Sequence, residues 1–412
     1  PFPQQIQAGG IYACGISPYA ATHDRAARIG NADFQRFGRA GGDAVMAQFS
    51  QIFKDDTRLG YKIPASEYLT SGKYPIIDQG KHLISGYRNE KNGLYSDIPV
   101  IIFGDHTRIL KYINTPFFIG ADGVKILKPK INDCNYKYLY YVLCNIKIPN
   151  TGYNRHFKWI KEVNIDLPEL NIQNKVVNTL DRINYLVLFR KQQLSKLDQL
   201  VKSRFIEMFG DVYLNTMSWD EKDLESIADI VSGITKGRKV KNKKLKEVPY
   251  MAVSNVKDGY IDWSTVKKID VTDEEIIRYR LLKDDVLITE GGDPDKVGRG
   301  AIIKNPLENC IHQNHIFRVR LNKLIVLPVF FAEYLQHQKS KRYFLSCAKQ
   351  TTGIASINMK QLKSLPVLLP PIKLQRQFSD FIQQVEKAKL SVKQSLDKLE
   401  TLKKSLMQEY FG

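Results

Sequence analysis

Apolar residues recur every seven positions in two stretches of the chain, at Leu180, Val187, Leu194 and Val201, and again at Phe378, Val385, Val392, Leu399 and Leu406. That spacing is a coiled-coil seam. Neither Gly nor Pro interrupts residues 172–209 or 373–411, so the pattern predicts two long helices, each opening after a proline-bearing strand end. At 1.5 Å per residue each would run about 50 Å. The two are expected to pack on each other antiparallel, which lets the chain return across a domain. Elsewhere the apolar runs are short and end in Gly-bearing polar loops, which predicts strands. Examples are Tyr74 to Ile77, Pro99 to Phe103 and Phe117 to Ile119 in one region, and Val248 to Val253, Asp285 to Ile288 and Cys310-Ile311 in another.

An internal repeat organises these elements. Residues 167–210 lie on 369–412 at a constant shift of 202, which pairs Leu167-Pro168 with Leu369-Pro370, Gln173 with Gln375, Lys196-Leu197 with Lys398-Leu399, and Phe209-Gly210 with Phe411-Gly412. The chain therefore divides into a first domain over 46–166, a helix over 167–210, a second domain over 211–368 and a second helix over 369–412. Residues 1–45 are set apart as a non-native leader or flexible arm. Residues 1–53 contain no Lys and no Leu, and the first methionine is Met46.

Composition narrows the function. The 412 residues carry 62 Lys and Arg against 43 Asp and Glu, a net charge of +19 spread along the body without a basic tail. A broadly positive folded surface suits a polyanion, because each phosphate it neutralises releases counterions. The longest uncharged apolar stretch, Leu324 to Ala332, is interrupted by Pro328 and is too short for a membrane helix. Five cysteines (Cys14, Cys134, Cys144, Cys310, Cys347) show neither a C-x-x-C pair nor nearby His spacing, which argues against a zinc site and a disulfide framework. A cytoplasmic location is expected.

Catalytic motifs are missing. The nearest approach to the [DN]-P-P-[YFW] loop of an adenine-N6 methyltransferase is Asn305-Pro306-Leu307-Glu308, which lacks the second proline and the aromatic. No G-x-x-x-x-G-K-[ST] phosphate loop occurs. None of the sixteen glutamates is followed two residues later by Lys, so half of a common metal-nuclease site is absent.

Five features are similar to those of a known family: the L-P-x-[LI]-x-x-Q helix openings at Leu167 and Leu369, the Phe-Gly helix ends, and the phrases Y-P-I-I-D-Q-G (74–80), F-G-D-H-T-R (103–108) and G-A-D-G-V-K (120–125). From Phe53 to Gly412 the chain resembles the specificity subunits of type I restriction-modification enzymes. Residues 1–45 match nothing in that pattern. The resemblance implies an α+β fold in which two α/β target-recognition domains alternate with two long helices, paired as an antiparallel coiled coil in a pseudo-two-fold arrangement. It further implies a non-catalytic subunit that reads a bipartite, asymmetric site in double-stranded DNA. Such a subunit positions two methyltransferase subunits and, in the full complex, restriction subunits. No cofactor or metal is expected on this chain; S-adenosylmethionine, ATP and Mg belong to the partners. The alternative is a self-contained DNA-modifying or cleaving enzyme with an unfamiliar site.

Within that frame the loops after strands supply the candidate DNA contacts. In the first domain these are Gln79, Lys81, His106, Thr107, Arg108, Asp122, Tyr153, Asn154, Arg155 and His156. In the second they are Thr235, Lys236, Arg238, Lys239, Asn255, Gly292, Asp293, Arg299, His312, Gln313, Asn314, Thr352 and Ser356. Arg and Asn side chains can pair bidentately with base edges. Lys236 to Lys246, with six further Lys and Arg after a Ser232-Gly233 turn, predicts a phosphate-contacting loop. Asp105-His106 and His312 with His315 could form acid/base pairs or hold a metal, but a lone Asp-His at a loop tip more commonly serves as a hydrogen-bonding feature. They are read as base or phosphate contacts.

Overall fold

The computed structural model describes residues 11–14, 45–120, 122–149, 151–152, 154–238, 244–351 and 353–412. Its chain divides into unit 1, Pro1–Phe189 with Leu396–Gly412, and unit 2, Arg190–Ser395.

Unit 1 begins with β1 (Ile11–Cys14), β2 (Val45–Gln48), α1 (Phe49–Ile52), β3 (Phe53–Asp55), β4 (Tyr74–Ile77), β5 (Gly86–Arg88) and β6 (Val100–Gly104). It continues through β7 (Leu110–Ile113), β8 (Phe118–Ile119), β9 (Val124–Pro129), α2 (Tyr136–Asn145), α3 (Phe157–Lys161), β10 (Asn164–Leu167) and the first half of α4 (Leu170–Phe209). One sheet has the order β1-β7-β6-β9-β3 and a second the order β5-β4-β8, in which β4 and β8 run parallel. β2 pairs antiparallel with β10. Every residue of β6 is buried, which is why Val100 to Phe103 reads as an unbroken apolar run. Residues 11–14, within the stretch set apart on composition, form the edge strand on β7.

Unit 2 takes the second half of α4 and then β11 (Glu221–Asp223), β12 (Ala228–Ser232), β13 (Lys246–Met251), β14 (Lys267–Val271), α5 (Asp273–Tyr279), β15 (Val286–Thr289) and β16 (Gly291–Gly292). There follow β17 (Gly300–Ile302), β18 (Ile311–His312), β19 (Ile316–Leu321), α6 (Pro328–Tyr334), α7 (Gln338–Cys347), β20 (Lys349–Thr351), β21 (Ile354–Ser356), α8 (Met359–Lys363), β22 (Pro366–Leu368) and α9 (Ile372–Phe411), whose residues from Leu396 onward belong to unit 1. Its sheets repeat the plan of unit 1. The order β12-β19-β15-β17 answers to β3-β9-β6-β7, and β14-β13-β18 answers to β5-β4-β8, with β13 and β18 again parallel.

The two glutamines of the repeat explain themselves in this fold. Gln173 is 2% exposed; its Oε1 accepts from Asn135 N at 2.9 Å and its Nε2 donates to Pro168 O at 2.7 Å. Gln375, fully buried, accepts from Leu327 N at 2.8 Å and donates to Pro370 O at 2.8 Å and Ile325 O at 3.1 Å. Each amide thus joins the first turn of a long helix to the N-cap of a short one, α2 or α6, meeting backbone groups that burial would otherwise leave unpaired. The helix ends match too. Trp219 Nε1 donates to Phe209 O at 3.0 Å, and Asn145 Nδ2 to Phe411 O at 2.9 Å. Gly210, at φ +74, supplies the left-handed residue that stops α4.

Within unit 2 the contacts between α4 and α9 rise along one helix as they fall along the other. Arg190 meets Ser395 at 3.1 Å, Asp198 meets Lys389 at 2.7 Å, and the rings of Phe205 and Phe378 lie 5.5 Å apart. The pairing is antiparallel, as expected for a chain that returns across a domain. Leu180, Val201, Phe378 and Val385 are buried against the domain cores, whereas Val187, Leu194, Val392 and Leu399 are half-buried. Two helices alone cannot enclose a seam where no third layer covers it.

Candidate nucleic-acid interface

In unit 1 the loops that follow β4, β6 and β8 converge, and Gln79 joins them. Its Nε2 donates to Asp122 O at 2.7 Å, its Oε1 accepts from His106 N at 3.2 Å, and its carbonyl accepts from Thr107 Oγ1 at 2.6 Å. The approach requires glycine: a Cβ on Gly104 would lie 2.2 Å from Thr107 Oγ1, and Gly123 sits at φ +78 against His106 and Gln79. Beneath the cluster Lys111 is fully buried, and its Nζ donates to Asp78 O at 2.8 Å and His82 O at 2.6 Å. Burial pushes its amine down from the ordinary lysine value, against the attraction of Asp78. Burial also pushes the Asp78 carboxyl up, but hydrogen bonds from Ser85 and Gly80 and the charge of Lys111 hold it below the usual range. Lys111 therefore acts as a post that fixes the 78–82 loop. A cavity of about 240 Å³ opens beside the cluster, lined in part by Lys62, His106, Asp122, Lys125 and Arg155.

In unit 2 the loops after β12, β13, β15 and β18 meet in the same way. Ile234 N donates to His312 O and Asn314 N to Ile234 O, at 2.9 and 3.1 Å. Gln313 Oε1 accepts from Val253 N at 3.3 Å, and Arg299 Nη2 donates to Val253 O at 3.4 Å. Gly291 and Gly292 pair with Ser356 and Ala355. A Cβ on Gly233 would stand 2.1 Å from His312 O, so only glycine lets the 233–236 turn cross β18. Thr235 and Lys236 are exposed on that turn, and Gln313, Asn314, Arg299 and Ser356 are half-buried around it.

Several predicted contacts have other employment. His156 is buried, with its Nδ1 3.0 Å from Asp105 O, and the Asp105 carboxylate accepts from Phe157 N at 2.8 Å; the pair secures the start of α3. His312 is buried between Tyr279 O and Val231 O, at 3.1 and 3.3 Å. Asn255 is 1% exposed and accepts from Ala252 N while donating to Asp262 O and Thr265 Oγ1. These three are corrected from contacts to supports, because side chains sealed inside the fold cannot reach a duplex. Arg108, at φ +61, turns back to donate to Ile148 O at 3.3 Å. Arg238 forms a fork with Glu275, its Nε 2.8 Å from Oε1 and its Nη2 2.5 Å from Oε2, and is tied down rather than offered to phosphate. Asp122 pairs with Lys62 and Asp293 with Lys296. Gly292 lies within a paired strand. Tyr153, Lys239 and Thr352 lie outside the described residues, as does much of the basic run. Lys81, Thr107, Asn154 and Arg155 are exposed beside the unit 1 cluster.

Sequence reasoning missed Lys111 and Glu290. A lysine inside an apolar strand, and an acid between β15 and a Gly-Gly pair, were the signals available. Among the described residues no group of three His, Cys, Asp or Glu could hold a metal ion, and no helix is long and apolar enough to cross a membrane. What the two clusters offer is amides, hydroxyls and cations on rigid strand ends, a set suited to hydrogen-bonding a polar anionic surface.

Comparison with known proteins identifies the family of this fold. A family model described as the type I restriction modification DNA specificity domain matches residues 47–199 and again 217–401. The chain is 27% identical over 195 residues to the putative type I restriction enzyme MjaX specificity subunit of Methanocaldococcus jannaschii, covering 47% of this chain and 45% of that one. It is 23% identical over 265 residues to the EcoKI specificity subunit of Escherichia coli, 60% of this chain and 57% of that one. The chain thus spans about half the length of these two relatives. Against the EcoR124I/EcoR124II specificity subunit of Escherichia coli it is 23% identical over 385 residues, 87% of this chain and 91% of that one. Among solved structures, the S subunit of the M. genitalium type I restriction-modification system shares the fold, with a TM-score of 0.55 and 17% identity over 91% of this chain and 97% of that one.

Proposed function

Because the chain belongs to the family of type I restriction-modification DNA specificity domains, we propose that it is the DNA-recognition subunit of such a complex, in which each unit reads one half of a split, asymmetric site. One observation carries this reading. The same strand plan is built twice, and the loops at its strand ends bear different side chains, Gln79, His106, Thr107 and Arg155 in unit 1 against Thr235, Gln313, Asn314 and Ser356 in unit 2. Like scaffolds with unlike loops read unlike words.

The subunit itself performs no chemistry in this proposal. It places adenine-N6 methyltransferase subunits, and restriction subunits in the full complex, on double-stranded DNA; S-adenosylmethionine, ATP and Mg act on those partners. The helices support docking of two copies of one partner. Leu188 and Leu390 are 45% and 58% exposed, and Leu200 and Leu402 are each 47% exposed, and both pairs are related by the shift of 202. A repeat that preserves outward leucines at matching positions presents the same apolar contact twice.

The test is reconstitution. The purified chain should transfer no methyl group, and adding the cognate methyltransferase subunits should give adenine methylation at one bipartite motif. Exchanging residues 211–368 for the matching domain of a relative should change one half of that motif and leave the other. Methyl transfer by the chain alone, or a change in both halves, refutes the proposal.

A further inference from the structure

We infer that Asn314 reads an adenine in the half-site of unit 2, and that Glu290 and His315 act as positioning residues that aim its amide. The inference rests on the DNA-recognition reading above and adds to it a base and the residue that selects it.

Asn314 is held at three points. Its N–H donates to Ile234 O at 3.1 Å and its carbonyl accepts from Ser232 Oγ at 2.6 Å, so its backbone is fixed against β12. Its Nδ2 lies 3.2 Å from His315 Nε2, and His315 Nδ1 lies 2.6 Å from Glu290 Oε2. The proton positions follow from the chemistry of the ends. A carboxylate only accepts and an amide nitrogen only donates, so the neutral imidazole carrying its hydrogen on Nδ1 satisfies both. Glu290 is itself anchored, since its N–H donates to His315 O at 3.0 Å and its carbonyl accepts from Ile357 N at 2.8 Å. The relay therefore runs from β15 through the imidazole to the amide without a loose joint.

What remains of the amide is its function. One Nδ2 hydrogen and the Oδ1 acceptor of Asn314 have no partner among the described residues, and the side chain is half-buried at the loop surface. A donor and an acceptor side by side match N7 and the N6 amino group of adenine in the major groove. Asn255, in the same unit, shows what a structural asparagine does instead: it is 1% exposed, and its oxygen and nitrogen both bond within the fold. Two asparagines of one unit thus divide between support and display. Pre-setting the amide removes the rotamer entropy that a flexible reader loses on binding.

The experiment uses the complex with its cognate methyltransferase subunits, and reads methylation over a DNA library randomised across the motif. The wild-type complex should prefer adenine at one position of the unit 2 half-site. Asn314→Ala should relax that position alone, by roughly 5- to 150-fold, as the loss of one bidentate contact implies. Asn314→Asp, which only accepts, should move the preference there toward cytosine, whose N4 donates. Glu290→Gln and His315→Ala should relax the same position with the rest of the motif unchanged. A purely structural role would lower methylation evenly over all bases, so an even loss, an unchanged profile, or a unit 2 half-site without adenine overturns the inference. A wild-type complex with no motif at all overturns the DNA-recognition reading instead.

Discussion

Replacing Gln375 with leucine tests how the long helices are fastened to their domains. The leucine fills nearly the same volume but leaves Leu327 N–H, Pro370 O and Ile325 O without the partners they have at 2.8, 2.8 and 3.1 Å. Gln375 is fully buried, so water cannot replace the amide. An orphaned buried group costs about 1–3 kcal/mol. Three such groups, partly relieved by small shifts and by the apolar gain of leucine, give an expected loss of about 3 kcal/mol. For a unit of roughly 200 residues that corresponds to about 6–12 °C in melting temperature. Differential scanning calorimetry of the full chain measures it, with Gln394→Leu, at an exposed position of the same helix, as the control expected to stay within about 0.5 kcal/mol. Gln375→Glu should be at least as damaging at neutral pH, because a carboxylate oxygen would face two carbonyls, and should partly recover as the acid protonates. A fall of less than about 2 °C for Gln375→Leu, equal to that of the control, would refute the clamp.

Three further outcomes follow from the geometry. Burial, reinforced for His337 by Lys202 and Lys341, pushes His312 and His337 down to about 4. Stability is therefore fully present above the unfolded value near 6.5 and is lost as pH falls toward 4, by up to about 3 kcal/mol per histidine. The difference between wild type and His337→Gln in urea titrations isolates one of them, because burial holds the neighbouring Glu333 carboxyl up and moves the raw slope the other way. Gly233→Ala, whose Cβ would meet His312 O at 2.1 Å, should degrade methylation specificity in the unit 2 half-site while sparing the other half. Arg155→Ala and Lys236→Ala should each reduce the slope of log affinity against log salt by about 0.9, measured by fluorescence anisotropy, whereas Arg238→Ala, removing a guanidinium already held by Glu275, should leave the slope unchanged.

The helices were legible because a seven-residue seam and a 202-residue repeat are properties of order along the chain, and the structure places them at Leu170–Phe209 and Ile372–Phe411. The repeated glutamines were visible in the same alignment, but their purpose was not. It depends on Asn135 N and Leu327 N, 38 and 48 residues away. Gly-bearing loops marked the strand ends that gather in each unit. They did not tell which side chains face outward, since a residue at a strand end turns in or out with register. So His156, His312 and Asn255 passed as contacts while holding the fold together, and Lys111, which strand alternation gives no reason to bury, stands under the 78–82 loop. Arg238 belonged to a charge run by sequence and to Glu275 by folding.

The bond from Asn145 to the carbonyl of Phe411 spans 266 residues, and it bears on the order in which the protein assembles during synthesis. Unit 2 is one continuous segment, Arg190–Ser395, so a ribosome that has released it has supplied everything its core requires. Unit 1 is emitted first but waits for Leu396–Gly412, because Leu406, Met407, Tyr410 and Phe411 pack against its core. The earlier domain on the message thus matures last, and for the whole interval of translation its apolar surface around Tyr138 stands open to chaperones and to aggregation. A chain that loses only its final turns should keep unit 2 intact while leaving unit 1 unsealed.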